Sequence, residues 1–232
     1  MMFSKITDVE NVMANDMRDY FINKIKFASL YPGVNLKIST DHPFVSLMQQ
    51  TVPESGVFDL TGLFPAITVI DTNSAKLIDS MVAPGYGTIP IGILADIETY
   101  KRDKYIISKE DLTRLIAAFE GKTELIGLGV ETQKKVSITI EIWALNNAMK
   151  GKIYDLISLY LVNRMIYLRE NYEIMLDEAS INGERSGTYN FDFGETLYGS
   201  MLRFTCGVVA SMWEIVDIDN LASVDVSVNG LI

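Results

Sequence analysis

Apolar residues recur along this chain in two rhythms, and the switches between them mark out most of its elements. Over residues 8–28 the rhythm is helical: Val12, Met13, Met17, Tyr20, Phe21 and Ile25 share a face, and Asp8 stands where an N-cap would. Tyr31-Pro32-Gly33 ends it. The stretch to about residue 60 is dense in turn formers, such as Asp41-His42-Pro43 and Val52-Pro53-Glu54-Ser55-Gly56, and leaves room for a short strand at 34–39. A clearer strand is expected at 64–71, with Pro65 at its entrance, where a missing backbone donor does least harm. Residues 72–130 read as an insertion. It holds a loop at 83–90 and, behind the capping pattern Ser108-Lys109-Glu110-Asp111, a short helix with Leu112, Leu115, Ile116 and Phe119 on one face, ending at Gly121.

The second half carries the strongest periodicities. Residues 134–145 alternate strictly, with Val136, Ile138, Ile140 and Ile142 on one side and Ser137, Thr139, Glu141 and Trp143 on the other. Asn146-Asn147 turns the chain into a helix predicted over 150–171, whose buried stripe is Ile153, Leu156, Ile157, Tyr160, Leu161, Met165 and Leu168. A strand at 173–181 should lead into a turn-rich tip at 182–187. A further run at 197–213 places Leu202, Phe204, Cys206, Val208, Ala210 and Met212 on one side. Seventeen extended residues would run ~56 Å, so a bulge or bend is expected at Gly199 or Gly207. The fold class is α/β (α+β): a mostly antiparallel twisted sheet, with the long helix and the N-terminal helix packed on one face, plus the inserted helical and loop segment. One domain is expected over 1–216.

Composition narrows the function classes. With 48% hydrophobic and 22% charged residues the chain can bury a core, and its net charge of −10 disfavours a phosphate backbone as primary ligand. The richest basic run, Lys101-Arg102-Asp103-Lys104, is short and interrupted. One cysteine, Cys206, excludes an internal disulfide, and its place in an apolar alternating run suits a buried thiol. The single histidine, His42, has no nucleophile elbow or metal-ligand spacing near it. Gly85-Tyr86-Gly87 and Gly127-Leu128-Gly129 read as a turn and a join rather than phosphate loops. No catalytic, cofactor-binding or metal-ligating set is expected. Neither a signal-peptide core nor 18 consecutive apolar residues occur, so the expectation is a protein made in a cytoplasm, with no membrane span.

The order of elements resembles the tail-terminator family of long-tailed bacteriophages, taken to include sheath-stabilising and tail-to-head joining proteins. The likeness rests on the leading helix, the strand entered through Phe64-Pro65, the long alternating strand, the long helix and the closing pair of long strands. It covers roughly 60–71 and 132–216 plus the N-terminal helix, and the segment 72–130 departs from it. The resemblance implies a structural virion protein, a homo-oligomer in the form of a six-membered ring that caps the tail tube, and the sheath where the tail is contractile. It implies contacts with tube, sheath and head connector proteins, genome DNA that only passes through the lumen, and assembly in the host cytoplasm. Another tail or baseplate ring is the nearest alternative, and an enzyme with a scattered acidic site the more distant one.

Candidate contact residues follow. Trp143 opposes the aliphatic face of its strand, so it packs under a second layer or marks a subunit contact. Lys101 and Arg102 form a basic tip. In the C-terminal segment 217–232, Val224, Val226 and Val228 alternate with polar residues, as an edge strand would or as an arm that adds a strand to a neighbour.

Overall fold

A computed structural model describes residues 2–45, 60, 62–77, 85–100, 104–190 and 196–215. Its elements are β1 (Met2–Ile6), α1 (Val9–Asp19), a π-helical turn (Tyr20–Lys24), α2 (Phe27–Leu30), β2 (Lys37–Ser39), β3 (Ala66–Leu77), β4 (Gly85–Pro90), α3 (Gly92–Tyr100), β5 (Tyr105–Ile106), α4 (Lys109–Ala118), β6 (Glu124–Ala144), α5 (Asn147–Tyr172), β7 (Ile174–Asn190) and β8 (Thr196–Ile215). The fold is α+β. The chain divides into two compact units, the first within residues 2–7, 77–133 and 209–215, the second within 8–76 and 134–208. The segment read as an insertion is thus most of the first unit, completed there by pieces from both ends of the described chain.

In the second unit the hydrogen-bonded order is β2-β3-β6-β8, with β7 on β8. β2 is parallel to β3 (Ile38 opposite Ile67), and β7 is antiparallel to β8 (Ile174 opposite Val208). The alternation read over 134–145 decides its core. Val136, Ile138, Ile140 and Ile142 meet Leu202, Phe204, Cys206 and Val208 under α1 and α5, so both helices cover one face. Asp8 caps α1 by accepting from Asn11 N, and Asn146 caps α5 by accepting from Met149 N. The helix expected to run to residue 28 instead ends in the π-helical turn, and Lys26 takes a left-handed conformation (φ 54°) before α2.

In the first unit β4 pairs with β6, and β8, β1 and β5 follow one another antiparallel, with Phe3 opposite Trp213 and Ser4 opposite both Met212 and Ile106. One face is covered by α3 and α4 through Phe3, Ile89, Ile97, Tyr105, Leu115, Phe119 and Leu125. The Trp213 indole lies flat on this face because β4 and β6 offer it glycines. A Cβ on Gly129 would stand 2.5–2.7 Å from three ring atoms, and one on Gly87 3.1 Å from the ring. Ser108 caps α4 as its pattern predicts, accepting from Asp111 N at 3.0 Å.

Several expectations shift. Gly85–Pro90 is a strand, not a loop, and Gly127-Leu128-Gly129 lies inside β6, which begins ten residues before its strict alternation. β1 and α3 were not anticipated. The turn-rich tip at 182–187 lies within β7. The irregularities expected in the last strand fall on its partner: β7 spends five steps, 177 to 182, against two in β8, 205 to 203, and three, 184 to 187, against two opposite Gly199. The extra residues bulge locally without ending the ladder, and the turn formers Asn182 and Gly183 stay paired between the two shifts.

Gly129→Ala forces Trp213 off its bed and should cost about 1–3 kcal/mol. Gly151→Ala, inside α5 with nothing within 4 Å of the added carbon, should gain up to about 1 kcal/mol. Denaturant unfolding of the two variants should give shifts of opposite sign.

Candidate functional site

Three polar arrangements and one apolar surface stand out. The most buried is a strut between α1 and α5. Asp16 Oδ2 accepts from Tyr160 Oη at 2.9 Å and from Arg164 Nε at 3.0 Å, while Arg164 Nη2 also bonds Asp16 Oδ1. Tyr160 is fully buried, and the Arg164 guanidinium lies 3.6 Å above the centroid of the Tyr167 ring. Burial, reinforced by the Asp16 charge and hydrogen bond, pushes the Tyr160 hydroxyl well above its ordinary pKa; the hydrogen bond to Asp16 raises Arg164 as well. Both carboxylate oxygens are engaged, Oδ2 twice, so the group ties the two helices together.

A second arrangement surrounds the single histidine. His42 Nδ1 accepts from Phe44 N at 3.3 Å, so the proton of the neutral ring sits on Nε2, which faces Glu141 Oε2 at 3.0 Å. The same oxygen accepts from Trp143 Nε1 at 3.2 Å. Both ring nitrogens are occupied, and His42 stacks on Phe44 at 4.7 Å. Trp143 is 6% exposed, packed among Leu60, Leu63, Phe64 and Leu197 with its ring 2.8 Å from where a Gly199 Cβ would be. The packing is its own second layer.

A hollow of about 580 Å³ opens beside the first turn of α5 and takes its polar lining from Asn147, Lys150, Tyr154, Thr188, Tyr198 and Ser200. Lys150 and Ser200 are buried and make contacts within the chain. Hydroxyls and an ammonium could hold a polar ligand here.

The apolar surface belongs to the first unit. Trp213 touches Gly87, Gly127 and Gly129, so odd residues of β4 and β6 share the helix-covered face and even residues lie opposite. That opposite face carries Met2 (50% exposed), Ile6, Tyr86 (68%), Ile106 (63%) and Met212, with half-buried Ile126, Leu128 and Val130 among them. A solvated antiparallel face is ordinarily polar. This one holds two charges across its described pairs, Glu214 opposite Met2 and Glu124 opposite Pro90, at its margins.

Of the contact residues expected from sequence, only Trp143 can be located, and it is buried. Lys101, Arg102, Val224, Val226 and Val228 lie outside the described residues. Sequence reading missed the open face because its residues are scattered over five short runs, none of them apolar enough alone. Cys206 is fully buried with Sγ 3.8 Å from Val136 O, and burial, with the nearby Asp71 charge adding, pushes its thiol pKa up to about 12. No cluster of three metal-ligating side chains occurs among the described residues, and none of their helices is long and apolar enough to cross a membrane. No family model matches this chain, and no curated protein matches it either.

Asp16→Ala strands the Arg164 charge and should cost about 3–5 kcal/mol, against about 1 kcal/mol for Tyr160→Phe, read by chemical denaturation. Glu10 accepts from Asp71 N at 3.0 Å, yet partial burial raises its pKa. The folded chain then binds this proton more tightly than the unfolded one. Its stabilising effect is complete below the unfolded pKa and fades as pH rises through the folded value. Glu10→Gln, which keeps the acceptor oxygen, should raise the melting temperature at pH 7 and not at pH 3.

Proposed function

We propose that this chain is a structural subunit of a closed ring of the tail-terminator type, capping a tail tube and presenting a face to the head connector. The observation that carries the reading is the open sheet face of the first unit, apolar and nearly uncharged in a chain of net charge −10. An uncovered surface of that kind marks a protein contact. Self-association of an acidic chain runs against its own charge, and an apolar face with few charges is where two copies can meet at low electrostatic cost. A ring needs two unlike surfaces meeting head to tail. The element order read from sequence supports the tail assignment, by analogy of fold.

A ligand-binding reading draws on the 580 Å³ hollow at the start of α5, whose lining is polar and includes Lys150. Under that reading the chain is a monomer that takes a small polar molecule.

The test is the mass of the purified chain, alone and mixed with tail tubes, followed by electron imaging. Rings or density at one tube end are expected; a monomer that ignores tubes sinks the proposal. Ile106→Asp and Met212→Asp, both at exposed positions, should leave the melting temperature nearly unchanged and abolish ring formation or capping.

A further inference from the structure

Helix α5 is apolar on two sides. Its inward stripe packs on the core, yet Leu159 (55% exposed), Val162 (67%) and Ile166 (58%) line the opposite side. These three, with exposed Asp155 before them and exposed Arg169 after them, are spaced 4, 3, 4 and 3 residues apart. That is the spacing of a seam between two helices, narrow enough to stay on one side for four turns. Its charges are distributed about a centre: Asp155 lies seven residues before Val162 and Arg169 seven after. Lys152 and Glu170, both exposed, flank the seam on one side, ten before and eight after.

From this geometry we infer that α5 is a docking surface for α5 of a second copy, antiparallel about a two-fold axis at Val162. In that arrangement each Asp155 meets the other copy's Arg169, each Lys152 comes beside a Glu170, and the apolar residues fill the middle. A parallel pairing would set Asp155 on Asp155 and Arg169 on Arg169, so charge selects the orientation. A sheet or an unrelated helix could cover the apolar residues, but neither explains charges of opposite sign at equal distances from Val162. The contact is isologous, whereas a ring closes through unlike surfaces, so this inference goes beyond the ring reading and does not depend on it. With three apolar side chains per copy the pairing is weak, since association must first overcome the loss of free tumbling.

Sedimentation of the full chain over a wide concentration range tests it. A concentration-dependent doubling of species is expected. Val162→Glu should abolish the doubling, and Asp155→Arg or Arg169→Asp should each weaken it about tenfold, on the scale of exposed ion pairs made repulsive on both sides of the axis. The double variant Asp155→Arg with Arg169→Asp should restore it. All three positions are exposed, so an unchanged melting temperature verifies folding. Val162→Cys should cross-link to itself under mild oxidation, because the axis brings the two positions together and Cys206 is buried; Lys152→Cys should not. Failure of the double variant to restore pairing, or the absence of any species that Val162→Glu removes, overturns the inference. Rings that persist in Val162→Glu would leave the proposed function standing in either case.

Discussion

A strand gives each residue one of two faces, and β6 and β8 are too long to escape that assignment without a bulge. Everything packed on them follows from it. In the second unit the even residues of β6 and β8 carry the aliphatic core, so α1 and α5 settle there, and Trp143, being odd, must find cover on the other side. It does so under Phe44 and Phe64, over the bare backbone of Gly199. In the first unit the same parity sets Trp213 against Gly87, Gly127 and Gly129. Two indoles are thus accommodated by glycines rather than by cavities, which fixes ring position through backbone contact and makes the added methyl of an alanine costly.

Because faces cannot be exchanged, irregularity is displaced to where it is cheapest. β8 is flanked by other strands and stays continuous, while β7, paired on β8 alone among the described strands, absorbs the extra residues at 177–182 and 184–187. Asn182 and Gly183 are turn formers in sequence, yet here they pair with Arg203 and Leu202, between the two register shifts. The same segment brings Gly183 against the Tyr154 hydroxyl, locking β7 to α5. Across the core, Asp16, Tyr160 and Arg164 fasten α5 to α1. A helix held this firmly on one side can leave apolar residues on the other without unravelling toward them.

What could be read from sequence divides along this physics. Residues 134–145 were legible because aliphatic and mostly polar residues alternate there, and 150–171 because the buried residues recur at helical spacing. Residues 124–130 were not: Glu-Leu-Ile-Gly-Leu-Gly-Val has glycines where a buried face ordinarily puts large residues and aliphatics where a solvated one puts polar groups. The inversion hid the strand, and it is also what leaves the open face apolar. β1 and β5 are too short to establish a period, though α3 carried one in Ile93, Leu94 and Ile97. The outer stripe of α5 was missed for a related reason. A search for one buried face counts Leu159, Val162 and Ile166 as noise around the inner stripe. Trp143 was legible as a residue with unusual surroundings, but only the packing of Phe44 and Leu197 decides that those surroundings belong to its own unit.

An acidic chain that nevertheless associates must do so through places where its charge is absent or balanced. The open face of the first unit approaches the former, with Glu214 and Glu124 as the charges among its described pairs; the outer side of α5 is the latter, with Asp155 and Glu170 countered by Arg169 and Lys152. The two kinds of surface have different consequences. A neutral face is indifferent to salt and sets no orientation, so its specificity must come from shape, as suits a rigid ring. A balanced stripe is weakened by salt and chooses one direction of approach, as suits a contact that forms and releases. On the proposed ring and α5 pairing, net charge keeps other encounters apart and leaves a small number of apolar residues to decide how copies meet.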